Sequence, residues 1–150
     1  MTMKRIFLIS VFVLLLPGIA WENEYDKYSK IYLKWAAPPL TVASYVVPFD
    51  GFYHVVFQAQ VVNHSAGFGK ETLVMFNARI CVNGVKIKGW TENVDQARHY
   101  GNPTLVKDLF LLAGDVIEIK MRADSMTRYP SHSVFVLTDY DRFQFDVSKF

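Results

Sequence analysis

Apolar and polar residues alternate along much of this chain with a period of two. Tyr53, Val55, Phe57, Ala59 and Val61 interleave with His54, Gln58 and Gln60. One side of such an extended segment is apolar and the other polar, as a half-buried strand requires. The pattern recurs in Val116 to Ala123, where Ile117, Ile119 and Met121 alternate with Glu118, Lys120 and Arg122. It recurs again in Phe143, Phe145 and Val147, set among Arg142, Gln144 and Asp146. Leu40 to Val47 is a further β-rich run, and Pro48-Phe49-Asp50-Gly51 after it reads as a turn. Val134 to Leu137 is apolar at every position, which suits a strand covered on both faces.

Asn83-Gly84, between two apolar arms, predicts a two-residue hairpin turn. That turn sets Val82 opposite Val85, Ile80 opposite Ile87 and Ala78 opposite Gly89, so both apolar sets share one face, which Val74 and Phe76 extend. Thr104 to Leu112 and Val116 to Ala123, joined by Ala113-Gly114-Asp115, predict a second hairpin. Asn63 to Lys70, Thr91 to Pro103 and Asp124 to Pro130 read as loops. No sustained 3.6-residue period is present, and only Asn23 to Trp35 has a weak helical pattern. With Trp21, Tyr25, Tyr28, Tyr32 and Trp35, that region is too aromatic for a disordered segment. The expected fold is all-β: an antiparallel sandwich of about eight strands, with uneven loops that favour a jelly roll over a simple meander.

The chain opens differently. Lys4 and Arg5 precede an apolar run from Ile6 to Leu16, and Pro17, Gly18 and Ala20 follow. This is the pattern of a cleavable signal peptide, cut between Ala20 and Trp21. As a helix the run reaches only roughly 16 Å, about half of what a membrane span needs. The expected organisation is a signal peptide over residues 1–20, an N-terminal segment over 21–39 and one β-sandwich domain over 40–150, secreted to the extracellular space or to a periplasm. The whole chain has 16 basic and 14 acidic side chains. Removing the leader takes Lys4 and Arg5 and leaves 14 of each. A near-neutral chain with no later span-length apolar run lacks the concentrated positive field that nucleic acid or an anionic membrane would need. Cys81 is the only cysteine, so no intramolecular disulfide forms, and packing or oligomerisation must supply the stability.

Two stretches resemble the globular head shared by the complement first-component family and the tumour necrosis factor superfamily. Val47-Pro48-Phe49-Asp50-Gly51-Phe52-Tyr53 is similar to that family's turn, glycine and aromatic start of a central strand. Leu109 to Val116 is similar to its leucine-rich strand ending in Gly-Asp, and an apolar strand near Ser133 to Leu137 follows in the same order. The resemblance covers about residues 40–138 and implies a homotrimer of jelly rolls that recognises an extracellular protein or receptor. The last strand lacks the family's phenylalanine-glycine pair, and Thr138 to Phe150 runs beyond the family's usual end. On the resemblance, one face of Val134 to Leu137 meets the core and the other a neighbouring subunit; alternatively, the C-terminal extension covers it.

Catalytic chemistry is not legible. His54, His64, His99 and His132 lie far apart and share no ligand spacing, so neither a metal site nor another cofactor is expected. Ser65 lies in no GxSxG elbow, and Gly67-Phe68-Gly69-Lys70 lacks the rest of a phosphate loop. The chain is therefore read as non-enzymatic. Asp139 and Asp141, with Asp124 and Asp146, could serve calcium but read more simply as solvated loop carboxylates. Cys81 is expected opposite Lys86, as a free thiol open to oxidation or covered by a neighbour. Asn63-His64-Ser65 matches the N-glycosylation pattern in an expected loop.

Function in a β-sandwich usually sits in its loops. Trp90, Arg98, His99 and Tyr100, with Arg128 and Tyr129 in a second loop, are the candidate contact residues, because their side chains are typical of binding hot spots. Three readings follow: a trimeric head for an extracellular protein, a carbohydrate-binding lectin or adhesin head stacking sugars on Trp90, Tyr100 or Tyr129, and a structural subunit of an assembly.

Overall fold

The computed structural model describes residues 25–34, 37–64, 73–94, 100–125 and 133–150. Their strands are β1 (Lys30–Tyr32), β2 (Leu40–Val46), β3 (Gly51–Gln58), β4 (Gln60–His64), β5 (Val74–Val82), β6 (Val85–Val94), β7 (Tyr100–Gly101), β8 (Thr104–Leu111), β9 (Val116–Ser125), β10 (Ser133–Leu137) and β11 (Gln144–Lys149). No helix occurs among the described residues. The expected leader and its cleavage site lie outside them, as do the parts of the three loops over residues 65–72, 95–99 and 126–132.

The pairing of these strands is nested. β5 pairs with β6, β4 with β7, β3 with β8, β2 with β9 and β1 with β10, always antiparallel. The chain is in effect one long hairpin with Asn83-Gly84 at its tip. Rolling that hairpin over itself brings β10 beside β4, β9 beside β5 and β11 beside β3. The product is a jelly roll, a β-sandwich of antiparallel sheets. One layer has the order β2-β9-β5-β6; the other has β1-β10-β4-β7, continued by β11-β3-β8. Ala59 alone separates β3 from β4, and its N–H donates to the Pro103 carbonyl at 3.2 Å. Pro103 has no N–H to return, so the ladder breaks there.

Several sequence expectations change. The segment over 23–35 is not helical in its described part: Lys30 to Tyr32 pair with Phe135 to Leu137 as strand β1. The sandwich therefore starts before residue 40. Thr91 to Val94 and Tyr100 to Gly101 are strand rather than loop, as are Asn63 in β4 and Asp124 in β9. The expected second hairpin does not form, because β8 pairs with β3 in one layer while β9 pairs with β2 and β5 in the other. The register of the Asn83-Gly84 hairpin also differs. Val82 faces Val85 as expected, but a bulge between Ile80 and Cys81 sets Ile80 opposite Lys88 and Ala78 opposite Trp90. The extra residue is on β6, at Ile87, and every side chain beyond it changes face.

The core fills the space between the layers. Val55, Phe57, Val61, Phe76, Ile80, Ile117 and Ile119 are fully buried there, each from the inward set of a period-two strand. Val134 and Val136 join this core, whereas Phe135 and Leu137 point the other way into a second cluster with Val62. Tyr25, Tyr28 and Tyr140 pack on that cluster. Tyr25 meets Phe135 edge-on with ring centroids 6.0 Å apart, and Tyr28 meets Tyr140 at 5.0 Å. The outer face of the all-apolar strand is thus covered by this chain itself, from the C-terminal extension and from the N-terminal segment together.

Two substitutions test this account of stability. Phe57→Ala empties a fully buried site and should lower the unfolding free energy in urea by about 3 to 5 kcal/mol. Gly84 has φ +81° with open space where a Cβ would stand. Gly84→Ala should therefore cost only the left-handed backbone penalty, about 1 to 2 kcal/mol, in the same measurement.

Candidate functional site

At one end of the sandwich three turns are bonded to one another. Asn83 and Gly84, at φ +49° and +81°, form the tight turn between β5 and β6; both positive angles are what a type I′ turn demands. The Asn83 side chain leaves its own hairpin. Its Nδ2 donates to Asp115 Oδ1 at 2.8 Å, and its Oδ1 accepts from the Val116 N–H at 2.9 Å. Asp115 in turn accepts from the Leu112 N–H through Oδ2 at 2.8 Å, closing the β8–β9 turn. Asp50, from the turn between β2 and β3, accepts from the Ala113 N–H at 2.7 Å. The Leu112 N–H bond and then the Asn83 amide hold the Asp115 carboxyl below its ordinary value of 3.8, against a smaller opposing effect of desolvation. This end is tied down, and its polar side chains are spent on bonds within the chain.

Of the expected contact residues, Tyr100 is exposed on β7, paired with Val62. Trp90 is half-buried and packs against the main core, because the bulge turns it inward opposite Ala78. Arg98, His99, Arg128 and Tyr129 lie outside the described residues. Asn63 is fully buried, with its amide donating to the Val94 carbonyl at 3.1 Å. A glycan on that nitrogen would have to displace the bond and its packing, so Asn63 is corrected from an open loop acceptor to an interior side chain. Cys81 lies opposite Lys86 as expected, buried, with a free thiol.

Three of the loop and strand carboxylates are similarly engaged. Asp139 accepts from the Ser29 N–H at 2.7 Å, Asp124 pairs with Arg122 at 2.7 Å, and Asp146 accepts from Gln144. No group of three or more His, Cys, Asp or Glu side chains that could hold a metal occurs among the described residues. No helix among them is long and apolar enough to cross a membrane.

The surface that stands out was not singled out in the sequence. On β3, Tyr53, Val55 and Phe57 point into the core, which leaves Phe52, His54 and Val56 on the outer face. On β8 the outward set is Val106, Asp108 and Phe110. Register places Phe52 opposite Phe110, His54 opposite Asp108 and Val56 opposite Val106. Phe52 and Phe110 are 60% and 58% exposed and meet edge-on with centroids 5.1 Å apart. Phe150 is 77% exposed; its N–H donates to the Phe52 carbonyl at 3.0 Å and its ring lies 6.2 Å from His54. Beside this row of rings, His54 Nδ1 and Asp108 Oδ1 are 2.6 Å apart. The result is an exposed aromatic and aliphatic patch around one polar pair, on a rigid sheet rather than on loops. Apolar residues on both faces of the start of β3 and the end of β8 were the available sign, but only the register shows that they lie side by side.

No protein-family model matches the chain, and no curated protein matches it. Among solved structures it is similar to that of rabbit GITRL, at 19% identity and a TM-score of 0.36, over 66% of this chain and 74% of that one.

The Asp115 arrangement predicts acid sensitivity. A carboxyl whose value is lowered on folding contributes stability that is complete above its unfolded value near 3.8 and is lost as pH falls through the folded value. Asp115→Ala should therefore melt below the native protein by roughly 5 °C near neutral pH. In melting curves recorded at falling pH, the gap should narrow below about pH 4.

Proposed function

We propose that the chain is a secreted, non-catalytic binding head that works as a self-associated oligomer and presents its loops to an extracellular protein. The observation that carries this reading is the exposed Phe52, Phe110 and Phe150 patch. Contiguous aromatic surface of this kind is uncommon on a protein that remains alone in water, and aromatic side chains dominate the centres of protein interfaces. It lies on the layer whose neighbouring half is already covered by Tyr25, Tyr28 and Tyr140, so the uncovered half is the part that a second subunit would bury. A homotrimer is what the resemblance at Val47 to Tyr53 and Leu109 to Val116 implies. Tyr100 on β7 lies outside the patch and is exposed to a partner.

The lectin reading is less well supported, because Trp90, its largest stacking candidate, packs against the core. The assembly-subunit reading shares the patch and differs in predicting open-ended growth.

Sedimentation velocity on the secreted protein decides between the closed oligomer and the assembly subunit. A single trimer-sized species should be present at micromolar concentration, and Phe52→Ser combined with Phe110→Ser should convert it to monomer with cooperative melting retained. A native protein that sediments as a monomer would sink the proposal, and a ladder of ever larger species would favour the assembly subunit.

A further inference from the structure

The opposite layer has a different surface. On the outer face of β5, Arg79 lies directly across from Lys120 on β9 and from Gly89 on β6. Like charges directly opposite in an antiparallel pair repel. Gly89 does not separate Arg79 from charge on its other side. Lys86 folds over it, with Nζ 2.8 Å from where a Cβ on Gly89 would stand. The Ile87 bulge allows this, since it brings Lys86 and Gly89 to the same face of β6. Arg79 is therefore flanked by an ammonium on each side, at the edge of a depression of about 260 Å³.

Asp124, which lines this depression, and Glu118, beside it on the same face of β9, are already occupied. Glu118 pairs with Lys120 at 3.2 Å and accepts from Thr41, and Asp124 pairs with Arg122 through two nitrogens at 2.7 and 2.8 Å. Arg79 and Lys86 have no carboxylate partner among the described residues. With Lys120 and Arg122 the face carries four cations against two carboxylates. We infer that this depression binds a single oxyanion group, a sulfate or phosphate, through the Arg79 guanidinium, with Lys86 and Lys120 closing on it from either side. A planar guanidinium between two movable ammonium groups suits a tetrahedral oxyanion, which it can bond in two places at once. A bound anion offsets the repulsion among these cations. The near-neutral charge of the expected mature chain fits one anionic group better than a long polyanion. This site is on the layer opposite the aromatic patch and does not depend on self-association.

Thermal shift and titration on the full protein test it, with inorganic sulfate, inorganic phosphate, a sulfated disaccharide and its unsulfated counterpart as probes. The native melting temperature should rise with at least one anionic probe and not with the unsulfated sugar. A response to the inorganic ions alone would assign a free anion, and one to the sulfated sugar beyond the inorganic ions would assign the ester. Arg79→Gln should lose about tenfold or more in affinity and, in anion-free buffer, melt no lower than the native protein because a repulsion is removed. Lys86→Gln should weaken binding less. Arg142→Gln, an exposed charge before β11, should bind as the native protein does. Absence of any anion response, retention of binding in Arg79→Gln, or an equal loss in Arg142→Gln would overturn the assignment.

Discussion

Two residues at positive φ, Asn83 and Gly84, reverse the chain within a single turn, and the rest of the architecture depends on that reversal. Once β5 and β6 are paired, each earlier strand can find its later partner only in nested order, because antiparallel zipping proceeds outward from a closed turn. β4 then meets β7, β3 meets β8, β2 meets β9 and β1 meets β10. The Asn83 side chain extends the same constraint into three dimensions. By bonding Asp115 and the Val116 N–H, it fastens the hairpin tip to the β8–β9 turn, which Asp50 ties to the β2–β3 turn. Neutral and charge-assisted hydrogen bonds of this sort are individually modest. Their value here is that one polar cluster sets the position of the β5–β6 hairpin relative to two turns that cross between the layers.

The two outer faces that result are chemically unlike. One carries aromatic and aliphatic side chains around the His54–Asp108 pair; the other carries cations around Arg79. Both follow from strand periodicity, because a sheet that buries one face must show the other. They differ in what solvent would leave undisturbed. Exposed rings lose free energy when covered, which favours a partner surface. Crowded cations repel one another, which favours an anion. The half of the first layer that the chain covers by itself, with Tyr25, Tyr28 and Tyr140 over Phe135 and Leu137, shows that the fold does not leave large apolar area open by default.

A single bulge has consequences on both sides of the second layer. An inserted residue at Ile87 turns Trp90 toward the core, where it packs, and turns Gly89 outward, where the absence of a side chain admits Lys86 beside Arg79. One extra residue thus brings the Lys86 ammonium beside Arg79.

The all-β class and the Asn83-Gly84 reversal were determined locally, by period-two alternation and by the φ angles that only certain residues tolerate. So were the inward sets of β3, β5 and β9, because alternation around Val55, Phe76 or Ile119 has one reading when one face is buried. The split of one long run into β3 and β4, strand β1 and the burial of Asn63 were not legible, since each depends on what a distant segment offers: a Pro103 carbonyl, the edge of β10, the Val94 carbonyl. Register was the deepest limit. Alternation says which residues share a face but not which residue of another strand stands opposite. The pairing of Phe52 with Phe110, and of Arg79 with Lys120, exists only once the strands are laid side by side. Both candidate surfaces are made of such pairs, so tertiary structure alone decided them.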